Sequence, residues 1–289
     1  MKIAALLSAS IALGLASCST DSPANSGAQT YRVSMEIVER FPVLAFRIND
    51  LDVRLALDLG SGTSLTLYPE ILDQIEKTPT GETIESIGME GVPMTNPVYE
   101  IPRVQLGDVV YRDLLVRQDD HTEQHRKDTI DYRGTYGRVG RGLFEDGKLV
   151  IDYQNKSLTI IPPDVSEKDQ GICHGIELPL ATEKKSLGLT TLVQTDIGGI
   201  YAVWDTGAPG NIMPKRTTDS AGLSLQARDR FETKKFVING HEFGPVRMNV
   251  WDVPALPPDL QALLGYWFFS DKVVCVDFPR DRLYIHFPS

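Results

Sequence analysis

The sequence predicts an all-β protein built as two similar lobes. Two apolar runs, Leu55-Ala56-Leu57 and Ala202-Val203-Trp204, each end in Asp-x-Gly and a small residue, as Asp58-Leu59-Gly60-Ser61 and Asp205-Thr206-Gly207-Ala208. A downstream segment recurs without a gap. Gly140, Asp152 and Leu158 match Gly265, Asp277 and Leu283, each 125 residues later. Most of the remaining chain alternates as short strands, with few helix signals. Chance rarely keeps Gly, Asp and Leu in register over such a span, so the chain carries an internal duplication.

Val43 to Ile48, Asn49-Asp50 and Val53 to Leu57 read as a hairpin with a polar turn. Leu189 to Val193, Asp196 to Gly199 and Ile200 to Trp204 repeat that layout. In both, the second strand delivers Asp-x-Gly. Pro69 to Lys77 and Pro258 to Leu264 are expected to be short helical pieces. Glu82 to Tyr99, with Gly88, Met89 and Gly91, is expected to be a hairpin with a mobile tip. Gln118 to Gly134, rich in Asp, Glu and His, is expected to be a solvated charged loop. Its His121-x-x-x-His125 spacing lacks a Glu beside the first His, so neither a metal site nor a cofactor is expected. The aspartates lie 147 apart against 125 for the downstream segment, so the first half carries about 22 extra residues. Two prolines and a polar run open a linker. The expected division is a lobe at 31–163, a linker at 164–176 and a lobe at 177–289.

The 289 residues suffice for one large or two medium domains. A net charge of −10 with no basic stripe argues against a nucleic-acid partner. Met1-Lys2 and the apolar Ile3 to Ala16 form a leader too short to span a bilayer. It ends at Leu15-Ala16-Ser17-Cys18, which resembles a bacterial lipobox. That resemblance implies cleavage before Cys18, lipidation of Cys18 and tethering to the cell envelope. Ser19 after it weakly favours the outer membrane. The segment 19–30 is expected to be a flexible tether. Cys173 and Cys275 remain. A disulfide between them and a plain core role for Cys275 both fit the sequence.

The paired Asp-x-Gly runs, each followed by an apolar-apolar-Gly element, resemble the aspartic peptidases. Arg138-Val139-Gly140-Arg141-Gly142-Leu143-Phe144 is close to the corresponding segment of retropepsins. From about Tyr31 to Ser289 the chain looks like two retropepsin-like lobes in tandem, in a single-chain, pepsin-like arrangement. The resemblance implies that Asp58 and Asp205 form a catalytic dyad at the lobe interface. It implies a monomer that cleaves peptide or protein substrates with an activated water. Gly60 and Gly207 permit the tight loops. In the family a hydroxyl after each Asp bonds across the interface. Thr206 supplies one, and Leu59 cannot supply the other. A hydroxyl three residues after the Asp can bond its carboxylate in the family, a role open to Ser61 and closed to Ala208. Leu59 also leaves a second reading, a peptide-binding or scaffolding lipoprotein that does not cleave. Tyr99 is a weak counterpart of the pepsin flap tyrosine.

Overall fold

A computed structural model describes residues 29–87, 93–119, 121–165, 172–183, 188–222, 230–254 and 256–288, without the side chains of Ile87 and Tyr132. The expected flap tip (Gly88, Met89 and Gly91) and Cys18 lie outside the described residues.

The first half begins with β1 (Tyr31–Ser34) and β2 (Glu36–Val38). The hairpin of β3 (Phe41–Ile48) and β4 (Leu51–Asp58) follows, turning at Asn49-Asp50 with Asn49 at φ 51°. Strand β4 buries Val53, Leu55 and Leu57. The two-residue period therefore turns Ala56 and Asp58 to the opposite face. Next come β5 (Leu65–Leu67), α1 (Pro69–Leu72), β6 (Thr78–Ile87), β7 (Pro93–Leu106) and β8 (Val109–Gln118). They lead to α2 (Glu123–Arg133), β9 (Gly137–Gly140), β10 (Lys148–Asp152) and β11 (Ser157–Ile161). The order β3-β4-β9-β5-β8-β7, with β7 returning to β3, closes a barrel.

The second half contains β12 (Ile176–Pro179), β13 (Thr190–Thr195), β14 (Gly198–Trp204) and β15 (Ile212–Pro214). Then follow α3 (Lys215–Ser220), β16 (Arg230–Thr233), β17 (Phe236–Ile238), β18 (His241–Glu242) and β19 (Val246–Trp251). The half ends with β20 (Ala262–Leu264), α4 (Tyr266–Phe269), β21 (Val273–Asp277) and β22 (Arg282–His286). Its order β13-β14-β20-β15-β19-β16 repeats that of the first lobe. The counterpart of the long β7 is divided into β16 and β17 at Lys234-Lys235. The second lobe is thus a half-barrel.

A third sheet, β1-β11-β10-β21-β22-β12, joins the halves. Strands β10 and β21 are the same element of the repeat and pair antiparallel, with Val150 opposite Cys275. Equivalent strands that pair about equivalent residues define a local two-fold axis. Cys275 is buried there and forms a disulfide with Cys173, which decides between the two readings of these cysteines.

Three local expectations are corrected. Ala262–Leu264 is strand β20, because its apolar residues pair with β14. The Pro69 helix ends at Leu72 rather than Lys77. The charged segment 118–134 is largely helix α2. The Thr122 hydroxyl caps its start by accepting from the His125 N–H at 3.2 Å, and Gly134 ends it at φ 63°.

Candidate active site

The ends of β4 and β14 carry Asp58 and Asp205 to the interface between the lobes. The loops after them are too close to admit side chains. A Cβ on Gly60 would lie 2.9 Å from the Asp205 carboxyl carbon. One on Gly207 would lie 2.7 Å from that of Asp58. Each carboxylate thus packs against the glycine of the opposite loop. Behind the loops, a Cβ on Gly140 would lie 2.2 Å from the Thr63 carbonyl oxygen, and one on Gly265 2.4 Å from that of Gly210. The apolar-apolar-Gly elements are therefore fixed by close backbone crossing.

Backbone donors orient both carboxylates. Gly207 N–H donates to Asp205 Oδ1 at 2.8 Å, and Ser61 N–H donates to Asp58 Oδ1 at 3.1 Å. The Ser61 hydroxyl pairs with Thr63 Oγ1 at 2.9 Å, and Ser61 reaches the carboxylate through its backbone N–H. Of the two residues that follow the aspartates, Thr206 supplies the side-chain hydroxyl that bridges the loops. Its hydroxyl accepts from Leu59 N–H at 2.9 Å and donates to the Leu57 carbonyl at 2.8 Å. Leu59 fills the equivalent place as a buried apolar side chain. Tyr99 hydrogen bonds to Gln118 at 3.4 Å and lies under the Lys77 ammonium, while Tyr68 lines the cleft.

Burial holds the Asp205 carboxyl well above the usual carboxylate range. The negative charge and hydrogen bond of Asp58 add to the rise, against the Gly207 N–H and the Arg138 charge. Two carboxylates in contact cannot both ionise easily, so the pair retains a proton. Beside Asp58 opens a cleft of about 940 Å³. Ala56, Tyr68, His121, His125 and Arg138 line one side, and Pro209 and Val250 to Pro254 the other.

Two participants in this arrangement, Arg138 and Asp119, are not evident as site residues from the motifs. Arg138 pairs in β9 opposite Ala56 and shares its face. Its guanidinium lies 3.5 Å from Asp58 Oδ2 and 2.7 Å from Asp119 Oδ2. Asp119 is almost fully buried and also hydrogen bonds the His121 ring. Burial opposes its ionisation, but His121 and Arg138 outweigh burial and hold its carboxyl below the usual range. The sequence signal for Arg138 was its parity: two residues before Gly140, it must face where Asp58 faces.

No protein-family model and no curated protein matches the sequence. Among solved structures, the aspartic proteinase from Irpex lacteus matches with a TM-score of 0.60 and 12% identity. The match covers 90% of this chain and 98% of that one. The chain therefore has the two-lobed, all-β fold of an aspartic proteinase.

Proposed function

We propose that this protein is an aspartic endopeptidase tethered to the bacterial cell envelope. The observation that carries the proposal is the reciprocal packing of Asp58 and Asp205 across the lobe interface. One carboxylate takes a proton from water as its oxygen attacks the scissile carbonyl carbon. The other gives its proton to the carbonyl oxygen, leaving a neutral geminal diol. On collapse, the C–N bond breaks and the leaving nitrogen takes the first proton. A diol hydroxyl returns the second. Atoms and charge balance with water as the sole co-reactant. The fold likeness to an aspartic proteinase supports this reading.

The test is hydrolysis of a mixed peptide library at pH 4–6 by the wild type, Asp58→Asn and Asp205→Asn. Each substitution lowers kcat by about 10²–10⁴-fold; unchanged cleavage in both defeats the proposal. Tethering is tested by Cys18→Ser, which releases the protein from the membrane fraction.

The one-sided Thr206 bridge favours a second reading, a cleft that binds peptide without cleaving it. It predicts a silent wild type that still binds peptide, and a Leu59→Thr variant that gains cleavage.

A further inference from the structure

The local two-fold that relates the lobes is also broken beside the dyad by a cation. Arg138 has Leu263 as its counterpart, the residue two before Gly265. Leu263 is buried among Val203, Ala208 and Ile212. Asp58 therefore has a guanidinium at 3.5 Å, whereas the matching place in the second lobe holds an aliphatic side chain. Arg138 is fixed from its far side by Asp119, which His121 holds in turn through its ring and its N–H, the latter at 2.8 Å. A planar guanidinium bridging two carboxylates is a rigid device that a single ammonium does not reproduce.

We propose that Arg138 is a positioning residue that makes Asp58 the base and Asp205 the acid of the pair. The assignment rests on the peptidase reading for its consequence, though not for its physics. A fixed cation beside one carboxylate stabilises the negative charge there and leaves the shared proton on the other. The groups around the guanidinium can be named by element. Asp58 comes from β4, Tyr68 from the start of α1, and Asp119 from the end of β8. His121, His125 and Arg133 come from α2 and its approach, and Asp205 from the second lobe. Burial and the charge of Asp58 already hold the Asp205 proton, in the same direction. In the hydrolytic cycle, the water proton then goes to Asp58, and the proton reaching the carbonyl oxygen comes from Asp205.

The experiment pairs two readouts on the full chain. One is the pH profile of kcat/KM. The other is titration of the carboxyl carbons in protein labelled with 13C-aspartate, which needs no cleavage. Arg138→Gln alone strands Asp119 in the interior, so Arg138→Gln with Asp119→Asn is measured as well. Without the cation, the first proton loss from the pair moves up by about one to three pH units. The acid limb of kcat/KM moves with it. Arg138→Lys moves both by less than half as much. A titration and acid limb that coincide with the wild type in the double variant overturn the proposal. So does an equal shift in Arg138→Lys and Arg138→Gln. A wild type that cleaves nothing while the titration still shifts supports the assignment and defeats the peptidase reading.

Discussion

Removing the Thr206 hydroxyl tests how much of the lobe interface depends on one side chain. Thr206→Val keeps the shape and deletes two hydrogen bonds, from Leu59 N–H at 2.9 Å and to the Leu57 carbonyl at 2.8 Å. Both partners belong to residues that are buried. Each lost bond is worth about 1 kcal/mol net, and each buried group left unpaired costs about 1–3 kcal/mol. Some relaxation is expected, so the loss is about 2–5 kcal/mol. For a chain of this size that corresponds to a fall in melting temperature of about 4–9 °C. Urea unfolding followed by tryptophan fluorescence measures it, since Trp204 lies buried two residues away. Thr206→Ser keeps both bonds and should lose less than about 1 kcal/mol. A Thr206→Val variant within about 0.5 kcal/mol of wild type would refute the reasoning, because the bridge would then be redundant.

Gly207→Ala places a methyl 2.7 Å from the Asp58 carboxyl carbon, so peptide cleavage should fall far more than stability, which drops by about 1–3 kcal/mol; full activity would contradict the packing argument. The Cys173–Cys275 bond spans a separation of 102 residues, and replacing both with Ser should cost about 4–5 kcal/mol, read from urea midpoints. Asp205 binds its proton more tightly when folded than when unfolded, so its contribution is complete below about pH 4 and lost as pH rises through the folded value. Asp119 has the opposite sign and weakens the fold only below about pH 4. Stability of the wild type should therefore decline above pH 4 with a slope of up to about 1.4 kcal/mol per pH unit, and Asp205→Asn should flatten it.

The duplication, the two Asp-x-Gly loops and the hairpins behind them were legible in the sequence because each depends on local pattern. Closure of the first barrel was not, since the pairing of Phe46 with Leu106 joins strands far apart in sequence. The dense charge of 118–134 hid a helix whose punctuation was nonetheless present in Thr122 and Gly134. Charge counting treats Asp119 and Arg138 as surface groups, because burial of an ion depends on a partner that only the fold supplies. Leu59 was recognised as a departure. Its consequence, a hydroxyl bridge supplied from the Thr206 side, required the geometry of both lobes.

A cleft with true two-fold symmetry presents a peptide with two equivalent directions, and nothing in it distinguishes the N-terminal side of the scissile bond from the C-terminal side. Here the residues that face each other across the axis differ: Leu59 with Thr206, Ser61 with Ala208, Arg138 with Leu263. Joining the lobes in one chain lets each position vary independently, so the cleft has a polarity that a pair of identical subunits cannot encode. On the proposed peptidase reading, a peptide in the cleft meets the Arg138 cation on the Asp58 side, where the second lobe has the buried Leu263 instead, and the direction of its backbone becomes a property of the sequence.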